Sequence, residues 1–286
     1  MKVAVLLDSG SDYYNQDIQM EGLFAVPLQI IAEDVGYKES VEISNDQVNS
    51  LMQREKSVST SLPSLGELEL LFMQIKDQGY DTVFAVPITS GISGTINAMR
   101  LAAQEQGLNF VAYDCYTTMH IELHCAISAR QLFDKGASIE LVTERLDESV
   151  NHSCTYIIPD NLDHLAKGGR LSPMAAKLGG LLRIKPILFL GPKTKGVIDP
   201  FDKVRTMSKA IQSVIDDMKT RNIDESYNIT VVDVNSPEVL EATYNKLKET
   251  FPTCQITQTQ LISTVSVHVG IGTIAFQVYK RVNRII

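Results

Sequence analysis

The chain of 286 residues is long enough for one large or two ordinary domains, and 44% hydrophobic with 21% charged residues is the composition of a folded protein rather than a disordered one. A formal net charge of -8 excludes the broad basic face that nucleic-acid binding needs, while leaving room for local anion sites. The four cysteines, Cys115, Cys125, Cys154 and Cys254, have neither zinc-ligand nor C-x-x-C spacing, and no apolar run approaches the roughly 18 residues of a membrane span. These features predict buried thiols and a soluble, cytoplasmic protein without a signal peptide.

Val3 to Leu7 reads as a first buried strand, ended by the polar turn Asp8-Ser9-Gly10-Ser11-Asp12. Phe24 to Ile31 predicts a second strand and Glu33 to Ser40 a hairpin-like connection. Ser44, Asn45 and Asp46 then open a helix through about Arg54. Ser57 to Ser64 is a hydroxyl-rich turn, and Pro63 blocks helix until Leu65. One of its hydroxyls can cap the next helix; the others exceed what a cap requires.

Val83 to Ile88 is a near-continuous apolar run, as expected of a strand buried on both faces of a parallel sheet. Ser90, Gly91, Ser93 and Gly94 follow it at the start of a helix that Gly107 can close. Helix capping is the ordinary use of such serines. Two serines and two glycines at a strand end also suit an anion, because helix N-termini leave amide donors free and open α/β sheets bind ligands there.

Phe110 to Tyr113 predicts a further strand, with helices at His120 to Phe133 and Ile139 to Val150. His120 and His124 share a helical face, yet no third metal ligand stands near them, and no metal or other cofactor is assigned. Strands alternating with helices to this point indicate a doubly wound parallel sheet.

From Cys154 the pattern changes. Strands at Thr155 to Ile158, Pro186 to Leu190, Val197 to Phe201, Asn228 to Val234, Gln255 to Ser263 and Ile274 to Tyr279 alternate with helices at Leu162 to Leu165, Ser172 to Leu182, Met207 to Met218 and Ser236 to Leu247. The expected architecture is α/β with two domains: a parallel-sheet domain over 1–150 and a mixed-sheet α+β domain over 151–286. Lys167-Gly168-Gly169-Arg170 can be a plain helix terminus or a mobile turn presenting a guanidinium fork to an anion. His268, flanked by Gly270 and Gly272, is either a structural histidine or one that a ligand can approach.

Taken in order, Asp8-Ser9, Thr60-Ser61-x-Pro63-Ser64, Ser90-Gly91-x-Ser93-Gly94-Thr95, Lys167-Gly168-Gly169-Arg170 and His268-x-Gly270 resemble the pattern of the DegV family of bacterial lipid-binding proteins, end to end. The resemblance implies a long-chain fatty acid held between two domains. Thr60, Ser61, Ser93, Gly94 and His268 would be at its carboxylate and Arg170 at the mouth. It also implies an ATP-binding fatty acid kinase subunit as partner, which phosphorylates the presented carboxylate for phospholipid synthesis, and transient contact with a membrane surface. The chain itself would then be no enzyme. Leu62 and Ile271 depart from the family's usual Gln and Pro and leave the geometry of those loops open. Leu178, Leu181, Leu182, Ile184, Ile187, Leu188 and Phe189 are the candidates for a tunnel wall, with ordinary core packing as their alternative.

A serine hydrolase is the alternative, because Ser93, Asp233 and His268 stand in the chain order of the α/β-hydrolases, although the second glycine of G-x-S-x-G is missing. Neither G-x-x-x-x-G-K-[ST] nor G-x-G-x-x-G occurs, so nucleotide binding by this chain is not expected.

Overall fold

The computed structural model describes residues 2–180 and 184–283. β1 (Val3–Asp8), β2 (Leu23–Val26), β6 (Thr82–Ala85) and β7 (Asn109–Ala112) form a parallel sheet in the order β2-β1-β6-β7. The sheet is covered on both faces, and β1 shows how. Val3, Val5 and Leu7 pack toward α4 (Met119–Asp134) and α5 (Ile139–Val150), while Ala4 and Leu6 pack toward α2 (Leu65–Asp77) and α3 (Thr95–Glu105). Period-two alternation with no polar residue on either side is why this strand reads as an unbroken apolar run.

Pro27 divides the single strand expected over 24–31. β2 stays in the parallel sheet, whereas β3 (Gln29–Ala32) enters a separate antiparallel sheet, ordered β4-β3-β5, with β4 (Val35–Lys38) and β5 (Val58–Ser61). Proline has no N–H to continue a ladder. The turn expected at 57–64 is therefore half strand: Thr60 pairs with Ile30, and Val58 and Thr60 turn inward while Ser59 and Ser61 face out. α1 (Asn45–Gln53) begins at Ser44, whose hydroxyl and the Gln47 side chain form a reciprocal cap.

The second sheet runs β10-β9-β8-β13-β11-β12, built from β8 (Cys154–Ile158), β9 (Lys185–Leu190), β10 (Asp199–Val204), β11 (Tyr227–Asp233), β12 (Gln255–Gln260) and β13 (Ile274–Lys280). Its pairs are antiparallel except β11 with β12, the two strands joined by α9 (Pro237–Thr250). α9 and α8 (Met207–Thr220) bury one face of it through Ile211, Val214, Ile215, Met218 and Leu247.

Two predicted elements differ. The helix expected over 172–182 is only α7 (Pro173–Ala176) followed by a 3-10 turn at Lys177–Gly180, as the adjacent Gly179 and Gly180 disfavour helix; Leu181 and Leu182 lie outside the described residues. The strand expected through Ser263 ends at Gln260, and Ser263–Val269 forms helix α10. The β-branched sequence of that segment reads as strand, but its first amides are captured from far away. Ser263 N donates to Asn45 Oδ1 at 3.0 Å and Thr264 N to Glu39 Oε1 at 2.5 Å. α10 thus packs against α1, β3 and β5 of the first half and against α6 (Asp163–Gly168) of the second. Among the described residues, no helix is long and apolar enough to cross a membrane.

Candidate functional site

Three hydroxyl- or imidazole-bearing segments meet where α10 crosses β5. Thr60, Ser61 and Leu62 come from the end of β5, Ser93 and Gly94 from the turn before α3, and His268 from α10. With Arg170, just beyond α6, they line one cavity of about 240 Å³. Among the described residues Arg170 is the only charged one in that lining; Leu28, Ile88, Ile92, Leu165, Ile198 and Val265 make much of the remainder apolar. All six residues singled out from the sequence as ligand contacts therefore border the same space.

Thr60 Oγ1 and His268 Nε2 lie 2.8 Å apart, a hydrogen bond joining positions 208 residues apart in the chain. Burial, followed by the Arg170 guanidinium and His164, pushes the imidazole pKa down to about 4, so His268 is neutral at neutral pH. Its place depends on Gly168, where a Cβ would come within 2.7 Å of His268 Nδ1. Arg170 is folded back by donating from Nη1 to the Gly168 carbonyl.

The serines of 90–95 divide their work. Ser90 is tied to Asp114 Oδ2 through both its amide, at 3.0 Å, and its hydroxyl, at 2.6 Å, and stays outside the cavity lining. Ser93 Oγ lies 2.8 Å from Thr95 Oγ1 and borders the cavity. Gly94 has an ordinary φ of -87°, and a Cβ there would make only van der Waals contact with Leu62. Gly91 is the sterically obligatory glycine, since a Cβ on it would collide with the backbone of Gly196 in the β9–β10 turn.

Four residues of this lining, Ile92, Ile198, Val265 and Val269, also border a second, smaller cavity of about 30 Å³ that reaches Met119, Val232, Leu261 and Gln277. The described members of the anticipated tunnel wall do not line these cavities, and Leu181 and Leu182 lie outside the described residues. Ile187 and Phe189 belong to the core under α8, and Leu188, with Leu178 packed beside it, to the neighbouring core; neither they nor Ile184 border either cavity. An apolar run states that residues are buried but not which space they face, and no sequence signal marked Ile92, Ile198 or Thr264 as lining.

The hydrolase arrangement is not assembled. Asp233 Oδ2 accepts from the Ser236 amide at 2.5 Å, His268 Nε2 is engaged with Thr60, and Ser93 Oγ with Thr95. A triad needs these groups directed at one another. The imidazoles of His120 and His124 also serve different partners: His120 bonds Asp12 Oδ2 and Thr230 Oγ1, and His124 Nε2 accepts from the Val282 amide.

A mixed α/β fold with a hydroxyl-rimmed apolar cavity is the architecture of a small-ligand binding protein. The chain belongs to the DegV family: the family model described as "Uncharacterised protein, DegV family" matches residues 2–281. The DegV domain-containing protein lin2658 of Listeria innocua is 32% identical over 279 residues, covering 96% of each chain. Among solved structures, the fatty acid binding DegV family protein SAG1342 of Streptococcus agalactiae superposes with a TM-score of 0.86 at 26% identity, over 98% of this chain and 99% of that one. DegV of Bacillus subtilis, described as a fatty acid binding protein, does so with a TM-score of 0.83 at 26% identity and the same coverage.

Proposed function

We propose that this protein binds a long-chain fatty acid and presents its carboxylate to a separate ATP-dependent kinase subunit for acyl-phosphate formation. The observation that carries the reading is the convergence of Thr60, Ser61, Ser93, Gly94, His268 and Arg170 on one cavity, beside a smaller apolar recess that shares four of its lining residues; the fatty-acid-binding description of structural neighbours supports it.

In this reading the head group is held largely by neutral donors. With the proton on His268 Nε2 donated to Thr60 Oγ1, the Thr60 hydroxyl proton is free to be donated to a carboxylate, and the Ser93 hydroxyl adds a second donor. Arg170, at the mouth, supplies the charge. Burying about fifteen methylenes is worth on the order of 12 kcal/mol gross before the costs of association. Each charge-assisted hydrogen bond adds about 1.5–3 kcal/mol, so the tail holds and the head group orients. ATP belongs to the partner, chain transfer involves transient contact with a membrane surface, and the place of action is the cytoplasm. The division near residue 150 belongs to the same reading, with the ligand between the two parts.

Native mass spectrometry of the purified protein, followed by denaturing extraction, tests the proposal. A stoichiometric long-chain fatty acid is the expected result. An empty protein that resists loading with palmitate overturns it.

A further inference from the structure

The polar turn after β1 contributes nothing to the cavity lining, yet it lies directly behind it. Leu28 N donates to Ser9 Oγ at 2.9 Å, Ile88 N to Asp8 Oδ2 at 3.0 Å, and Thr264 N to Glu39 Oε1 at 2.5 Å. Leu28, Ile88 and Thr264 all border the main cavity, and they come from three segments that share no strand or helix. The side chains that hold them are linked, since Ser9 Oγ donates to Glu39 Oε2 at 2.5 Å. Asp8, Ser9 and Glu39 are at most 1% exposed.

A buried amide without a partner is costly, so these bonds fix where each segment sits. Glu39 has the longest reach. Thr264 is one helical turn before His268, so the carboxylate that anchors the start of α10 also sets the depth and rotation at which the imidazole meets Thr60. α10 has no cap from its own N-cap side chain. Asp8 and Ser9 fix the opposing wall from the same layer.

We propose that Glu39 is a positioning residue for the head-group end of the cavity, acting through the Thr264 amide to hold α10, and hence His268, in register with Thr60. The proposal rests on the carboxylate-binding reading of the cavity and adds a residue that never touches the ligand.

The test compares palmitate with hexadecanol, which shares the chain but lacks the carboxylate, in the wild type, Glu39→Gln, Glu39→Asp, Glu39→Ala, His268→Ala and the Glu39→Ala/His268→Ala double variant. Glu39→Gln keeps an acceptor for Thr264 N and a polar partner for Ser9, and is expected to stay within about threefold of wild type for both ligands. Glu39→Ala is expected to weaken palmitate about tenfold or more while changing hexadecanol less than about threefold, and to add nothing in the His268→Ala background. Should Glu39→Ala not fold, Glu39→Asp, one methylene too short to reach both Ser9 and Thr264, is expected to show the same palmitate-selective loss. Equal losses for both ligands, losses that add to that of His268→Ala, or no loss overturn the positioning role. A wild type that binds neither ligand instead defeats the fatty-acid reading, and this inference with it.

Discussion

The depressed pKa of His268 makes a quantitative prediction. The imidazole moves from an ordinary value of 6.5 to about 4, chiefly through burial. Between those pH values the unfolded chain binds a proton that the folded chain refuses, so this contribution to stability is complete above about 6.5 and is lost as pH falls toward 4. At about 1.4 kcal/mol per tenfold change in proton affinity, the loss amounts to about 3 kcal/mol. Asp8 and Glu39 act in the opposite sense. Burial raises both to about 7, so the folded chain keeps their protons longer and their contribution is lost as pH rises through that value. Comparing wild type with His268→Asn removes these carboxyls from the account, because both proteins carry them. The difference in unfolding free energy between the two, followed by urea titration, is expected to shrink by about 3 kcal/mol from pH 7 to pH 4. A difference constant within about 0.5 kcal/mol, or an NMR titration of the ligand-free wild type that places the His268 midpoint above 6, refutes the reasoning.

Gly168→Ala is expected to lower palmitate affinity several-fold with little change in the thermal midpoint, since the new methyl displaces the His268 imidazole while alanine favours the helix; calorimetric titration and a melting curve check the two halves. Gly91→Ala places a methyl against the Gly196 backbone and is expected to destabilise the fold by about 1–3 kcal/mol in denaturant titration. Ser93→Ala is expected to weaken fixation of the palmitate carboxylate by about 1–2 kcal/mol without displacing the tail, so hexadecanol affinity serves as the control. Arg170→Ala is expected to reduce turnover with the proposed kinase subunit more than palmitate affinity, and equal loss in both argues against a position at the mouth.

Elements whose signal is local were legible in the sequence. β1, β6 and the helices α2 to α5 follow from periodicity and caps, and the hydroxyl-rich stretches at 60–64 and 90–95, the turn at 167–170 and His268 all come to the same region. What escaped depends on tertiary partners. β5 carries the alternation of a strand, Val58 and Thr60 in and Ser59 and Ser61 out, but three hydroxyl residues in four outweighed it. α10 is written in strand-forming residues and becomes helix because Asn45 and Glu39 capture its leading amides. Glu39 itself looks like an ordinary surface acid beside Lys38 and Ser40, and only the fold buries it completely. Of the apolar residues expected at a tunnel wall, Ile187 and Leu188 point to opposite faces of β9, and it is Leu190, two residues on from Leu188 on the same face, that borders the recess.

The capture of α10 also sets an order of events in synthesis. The helix has seven residues, too few to persist alone, and its anchors Asn45 and Glu39 leave the ribosome more than two hundred positions earlier. Thr60 and Ser93 are likewise made well before His268, whose imidazole is more than 170 positions further on. A nascent chain can therefore complete its parallel sheet before the Thr60–His268 contact exists. Under the carboxylate-binding reading, the site closes only once α10 has been made and docked, which keeps a chain that has not reached α10 from sequestering an amphiphile.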